Sequence, residues 1–229
     1  VPHPGTDLTL PTQHVLPAAP RQGIVINLSE MRLSYFPNPQ TVMTFPIGIG
    51  MDGWETIIGG TSILKKRKNP TWIPPDSIRE EDPSLPEMIP PGPNNPLGDY
   101  ALNLGLEGYR IHGTNRPDGI GRRSSHGCIR LYPEDIAILF EAVEVGAPVS
   151  IIDRPYKLGW QHNTLFLEVT PTQQQSDGIM RHEPLQIADI PEMYGDIQSI
   201  AKTENIDWQA VREAVMWRSG IPVAIAIKK

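Results

Sequence analysis

Tyr109-Arg110-Ile111-His112-Gly113-Thr114, followed by Ser124-Ser125-His126-Gly127-Cys128-Ile129-Arg130-Leu131, is the stretch on which the reading of this chain turns. It holds two of the six histidines and the only cysteine, with His112 sixteen residues before Cys128. A cysteine thiol titrates near ~8.5 and is mostly protonated at neutral pH. A neighbouring imidazole can take that proton and leave a nucleophilic thiolate. Between residues 109 and 130 five arginines (110, 116, 122, 123 and 130) stand against one acid, Asp118, inside a chain whose net charge is −6. Such a field favours a thiolate and draws in an anionic substrate. Gly127 has no Cβ, so its backbone can come close to a substrate and its neighbouring N–H groups can face a developing oxyanion. Two blander readings stand beside this one: Cys128 as an inert buried thiol, and His112 as a structural histidine on an apolar strand. A third gives zinc to His112, His126 and Cys128, with water in the fourth position. No acid recurs at ligand spacing nearby and no His-x3-His pair exists, so no metal and no other cofactor is expected.

Working outward, Gly23 opens the ordered part of the chain. Ile24 to Leu28 and Met31 to Phe36 read as two strands with a tight turn at Ser29-Glu30. Met31, Leu33 and Tyr35 alternate with Arg32 and Ser34, which predicts one wet face. Thr41 to Ile49 is a further β-branched run. Ile57-Ile58 and Thr61 to Leu64 are weaker strand candidates, and Lys65-Lys66-Arg67-Lys68 reads as a solvated turn. Residues 70–96 hold nine of the chain's 25 prolines and read as neither strand nor helix. A structured loop of that length reads either as a lid or binding loop or as a proline-stiffened surface excursion, with Trp72 kept out of water. Pro133-Glu134-Asp135 begins a helix whose Ile136, Leu139, Phe140 and Val143 share one face, stopped by Gly146. Val149 to Ile152 is a buried strand. Beyond it, Thr164 to Thr170 alternates like a strand and Gln173 to Gly178 reads as a polar loop. Asp207 caps a helix through about Arg218, with Trp208, Val211 and Val215 on one face, and Val223 to Ile227 is a last strand. Three parts are expected: a proline-rich linker or tail over 1–20, a domain over 21–155 and a smaller subdomain over 156–229.

Composition closes off several classes. One cysteine excludes an intramolecular disulfide framework, a zinc ribbon and a thiolate-bound cluster. Twenty-five prolines in 229 residues, about twice the usual share, argue against a helix bundle. With 26 acids against 20 bases, nucleic acid is not an expected partner. No run approaches the ~20 apolar residues of a membrane span. The chain begins at Val1, and no charged region precedes an apolar one, so no signal peptide is expected within it.

The stretch from His112 to Arg130 resembles the signature of L,D-transpeptidases with a YkuD-type catalytic domain, in which a His-Gly pair precedes Ser-His-Gly-Cys by this interval. Gly23 to Phe36 is similar to that family's opening hairpin. Pro46-Ile47-Gly48-Ile49-Gly50, Pro70-Thr71-Trp72, Gly92 to Gly98 and Arg218-Ser219-Gly220-Ile221-Pro222-Val223 resemble its ErfK/YbiS subgroup. The resemblance implies an α+β, mainly β fold, a YkuD-type mixed β-sandwich with a smaller C-terminal segment. It implies Cys128 as nucleophile, His112 as general base, the Gly113 carbonyl as the group that orients the ring, and an oxyanion hole of N–H groups around Gly127. Ser125 and His126 would shape the site, and Arg130, Arg123, Tyr109 and Trp72 would bind substrate. Arg130 stands where the family usually carries asparagine. The implied reaction is acyl transfer in the periplasm. A peptidoglycan stem tetrapeptide acylates the cysteine with loss of D-alanine, and the acyl group passes to a diaminopimelate amine or to a lysine of an outer-membrane lipoprotein. A hydrolase on the same scaffold and a non-catalytic wall-binding module are the alternatives left open by the sequence.

Overall fold

A computed structural model of the chain describes Gly5, residues 11–187 and residues 189–228; Pro2 and Pro4 of the expected tail lie outside them. Two compact units emerge, one of residues 19–153 and one joining the described residues of 1–18 to those of 154–229.

In the first unit the strands are β1 (Gly23–Asn27), β2 (Arg32–Asn38), β3 (Thr41–Pro46), β4 (Ile49–Gly50), β5 (Gly59–Lys68), β6 (Tyr100–Leu104), β7 (Arg110–His112), β8 (Arg123–Ser125), β9 (Ile129–Arg130) and β10 (Pro148–Ile152), with helices α1 (Asp76–Glu81) and α2 (Pro133–Ala142). Eight of them make one sheet in the order β3-β2-β1-β10-β5-β6-β7-β9, and β4 pairs with β8. The β1–β10 and β7–β9 pairs are parallel. α2 starts at Pro133, where a missing N–H does no harm, and buries Ile136 and Leu139. It lies against β6, with Phe140 4.8 Å from the Tyr100 ring. Its apolar side closes a core in which Ile63, Leu102, Ile111, Ile129, Leu131 and Ile136 are fully buried. The mainly β, α+β architecture expected from the sequence is the one observed.

Four local expectations need correction. Ser34 is buried, not wet, because the face it shares with Val25 and Phe36 is shielded as well as the core face. Ile57 and Ile58 are exposed and outside any strand, whereas Lys65 to Lys68 lie inside β5. Pairing with β6 holds those lysines in the sheet, and Lys66 donates from Nζ to Val143 O at 2.8 Å and sits 4.7 Å above the Phe140 ring. The proline-rich 70–96 segment does contain a helix, since no proline interrupts Asp76 to Asp82 and Pro75 stands at its start. Trp72 and Ile89 exchange backbone hydrogen bonds across the segment. Nine prolines supply carbonyls without N–H donors. Buried Asn95 redresses part of that excess, its Nδ2 donating to the carbonyls of Pro70, Ile89 and Pro90.

The second unit carries β11 (Tyr156–Gln161), β12 (Thr164–Val169) and β13 (Val223–Ile227) in one antiparallel sheet, with α3 (Gln173–Met180), α4 (Pro191–Ile200) and α5 (Trp208–Trp217). Its core gathers Leu165, Leu167, Val169, Met193, Ile197, Val211, Val215 and Ile225. Residues 173–178, expected as a loop, are helical because Thr172 and Gln175 form a capping box. Asp207 caps α5 as expected, accepting from the N–H groups of Gln209 and Ala210. Residues 11–18, expected as part of a linker, belong to this unit: buried Val15 donates its N–H to Glu168 Oε2 at 2.7 Å. Glu168 also meets Lys157 Nζ at 2.8 Å, both side chains almost wholly buried.

Candidate active site

His112 ends β7 and Cys128 immediately precedes β9. The strands run parallel, with Ile111 opposite Ile129 and His112 opposite Arg130. Side chains alternate along a strand. Ile111 and Ile129 therefore point into the core, where both are fully buried, and Arg110, His112, Cys128 and Arg130 share the other face. All four line one cleft of about 370 Å³. Trp72, Pro75, Ile78, Leu85 and Ile89 from the proline-rich segment form its apolar wall, so that segment is a wall of the site rather than a surface excursion.

The His112 ring is buried, with Nδ1 2.6 Å from Gly113 O. A carbonyl only accepts, so Nδ1 carries the hydrogen and Nε2 keeps its lone pair. Burial, reinforced by the charge of Arg130 and opposed by the Gly113 hydrogen bond, pushes the ring's pKa down to about 3. Burial also raises the Cys128 thiol, against the pull of Arg110 and Arg130. The arginine field read from the sequence thus acts in the expected direction but is outweighed by desolvation. The resting pair is a thiol and a neutral imidazole. The thiol donates weakly to Gly108 O at 3.5 Å.

The loop between β8 and β9 is pinned at three carbonyls. Met51 N–H donates to Ser125 O at 2.9 Å, Thr56 Oγ1 to Gly127 O at 2.9 Å and Ser125 Oγ to Cys128 O at 2.6 Å. Gly127 has a φ of +94°, and a Cβ there would fall 2.9 Å from the Tyr109 ring, so only glycine fits without strain. Tyr109 is thereby a buttress beneath the loop, its hydroxyl donating to Glu55 O, rather than part of the cleft lining. Arg123 is also turned away: Nε donates to Gly50 O at 3.0 Å and the guanidinium faces Glu55. Arg130 and Trp72 do line the cleft. His126 lines it too, but its Nε2 lies 2.9 Å from Glu81 Oε2 at the end of α1, and its ring meets Trp54 edge-on. Among the described residues His112, His126 and Cys128 do not bring three ligand atoms within 4.8 Å of one another, and the geometry gives the zinc reading no support.

Arg110 and Arg116 were read only as part of the basic stretch and not as cleft residues, and Thr56 and Glu81 were missed. Arg110 was legible, since it stands two residues before His112 on the same strand face. Thr56 and Glu81 were not, because each reaches the loop from 71 and 45 residues away.

Residues 21–151 match the family model described as YkuD, the L,D-transpeptidase catalytic domain. The chain belongs to the YkuD family of L,D-transpeptidases. This L,D-transpeptidase is 39% identical over 236 residues to “Probable L,D-transpeptidase ErfK/SrfK” of Salmonella typhimurium, covering 99% of the chain and 74% of that relative. It is 40% identical over 236 residues to “Probable L,D-transpeptidase YbiS” of Escherichia coli, covering 98% and 74%. A solved L,D-transpeptidase from Mycobacterium smegmatis superposes with a TM-score of 0.46 at 21% identity, over 57% of this chain and 58% of that one. The similarity to the ErfK, YbiS and YcfS proteins runs over nearly the whole chain. The protein is accordingly a cysteine-dependent enzyme of the transpeptidase class whose family function is exercised on peptidoglycan. Among its described residues no helix is long and apolar enough to cross a membrane.

Proposed function

We propose that Cys128 is the nucleophile and His112 the general base of an acyl transfer between peptidoglycan stem peptides, carried out in the periplasm. The observation that carries this reading is the neutral His112 ring, tied at 2.6 Å to Gly113 O on the strand face and in the cleft that it shares with Cys128. Its free Nε2 takes the thiol proton as Sγ attacks the carbonyl of the third stem residue, a diaminopimelate. The oxyanion falls to backbone N–H groups at His126, Gly127 and Cys128. In a trans peptide the N–H points opposite to the C=O. The tethered carbonyls of Ser125 and Gly127 therefore aim the N–H groups of His126 and Cys128 away from their tethers. The C–N bond then breaks, His112 returns its proton to the leaving amine and D-alanine departs. An amine attacks the thioester and regenerates the thiol. That amine is the side chain of a second diaminopimelate or a lysine of an outer-membrane lipoprotein. Arg130 and Trp72 bind the donor, and residues 21–155 carry the chemistry.

Purified tetrapeptide muropeptides incubated with the protein, with products followed by mass spectrometry, test this. D-Alanine release with new amide products is expected from the wild type, and Cys128→Ala should lose at least about 10³-fold in rate, as removal of a covalent nucleophile does elsewhere. Wild-type turnover in Cys128→Ala would end the assignment. Products formed with and without an added amine identify the acceptor.

A further inference from the structure

Three guanidinium groups, Arg110, Arg116 and Arg130, line the cleft, and no carboxylate is among its lining residues. Arg130 is the most constrained of them. Its backbone is fixed on both sides by Gly48, with N–H to O distances of 2.9 Å in each direction. Its Nε is buried and has no hydrogen-bond partner among the described residues. Arg130 as a whole is only partly buried, and a guanidinium whose buried Nε lacks a partner is unfavourable until something answers it. The answer that fits a guanidinium fork is a pair of oxygens in one plane. Arg116, exposed on the loop before β8, lies close enough for its charge to act on Arg130, so an anion between them relieves their repulsion. Asp118 also acts on Arg130 at a distance, yet it is not among the residues that line the cleft. Gly119 packs beside the pair, where a Cβ would meet Ser124 Oγ at 2.8 Å and touch Arg130 Nη1 at an ordinary 3.6 Å.

We infer that Arg130, assisted by Arg116, is a carboxylate subsite that reads the C-terminal carboxylate of the donor's leaving residue. This rests on the acyl transfer proposed above. Reach decides which carboxylate is meant. Cys128 and Arg130 are two residues apart on one strand face, ~6.6 Å at a rise of ~3.3 Å per residue. The carboxyl carbon of a terminal leaving residue lies one residue beyond the attacked carbonyl, within ~3.8 Å of it. The second carboxylate of a diaminopimelate lies a whole side chain further off. The subsite makes a free carboxyl terminus, one residue past the scissile bond, a condition for efficient cleavage. It acts on specificity and leaves the proton transfer to His112.

The test compares two donors on the full chain: a disaccharide-tetrapeptide with a free terminal carboxylate and the same molecule ending in a carboxamide. The rate constant kcat/KM for release of the terminal residue is followed by mass spectrometry. A charge-assisted pair predicts a preference of about 10- to 100-fold for the acid. That preference should collapse toward unity in Arg130→Gln, fall partway in Arg130→Lys, which keeps the charge but loses the fork, and fall partway in Arg116→Gln. Arg116 is exposed, so its variant carries the test if Arg130→Gln does not fold. A wild type that cleaves both donors equally, or an acid preference undiminished in the arginine variants, overturns the subsite and leaves the acyl transfer standing. Failure to cleave either donor overturns the transfer reading and the subsite with it.

Discussion

His112 and Cys128 illustrate how burial and charge compete at one residue. From sequence the five neighbouring arginines promise a thiolate. In the fold, desolvation lifts the thiol and lowers the imidazole, and the proton stays on sulfur until substrate arrives. Two consequences can be measured. Alkylation of free Cys128 by iodoacetamide should keep rising with pH beyond the ordinary thiol range of ~8.5, with no plateau near neutrality. A plateau at pH 6–7 would reveal a preformed ion pair instead. For stability, the sign follows from proton counting. The unfolded ring binds a proton below its ordinary value of 6.5 and the folded ring only near 3. Stability therefore falls as pH drops through that window. His112→Gln should flatten the fall, as read by denaturant midpoints at several pH values; an unchanged slope would contradict the buried neutral ring.

Elements built on a clear period were legible from the sequence alone. The i, i+3, i+7 spacing of Ile136, Leu139 and Val143 reports each residue's burial through its neighbours on the same element. What failed were elements whose reasons lie elsewhere. α1 sits in a proline-rich stretch and is held by Glu81 to His126, α3 has a polar sequence and only its Thr172/Gln175 box to announce it, and the lysine end of β5 is kept in the sheet by β6. The Glu81–His126 tie joins two partly exposed side chains, and such pairs contribute ~0.2–1 kcal/mol. It is a weak latch on the cleft wall. Glu81→Gln should raise the alkylation rate of Cys128 by a bulky maleimide by no more than about 5-fold. No rise at all would show that α1 does not restrain access to the thiol.

At the scale of the whole molecule, the single cysteine and the proline excess acquire distinct meanings. The cysteine has no second thiol to pair with in this sequence, and among the described prolines Pro75 and Pro96 line the cleft while Pro46, Pro133, Pro148 and Pro191 stand at the ends of strands and helices. The C-terminal unit holds its own buried ion pair, Lys157 with Glu168, which also receives the Val15 N–H. Removing one member of a buried pair is strongly destabilising, by about 3–5 kcal/mol. Glu168→Gln should lower the midpoint of thermal unfolding accordingly, and a variant as stable as the wild type would mean that the pair is not desolvated as described. None of this tests the chemistry, for which the decisive measurement is the intact mass of enzyme quenched during turnover of a tetrapeptide donor. An adduct equal to the donor less D-alanine is expected, located on Cys128 by peptide mapping, labile to hydroxylamine and absent from Cys128→Ala. Turnover with no adduct on Cys128, or an adduct on another residue, would contradict that chemistry.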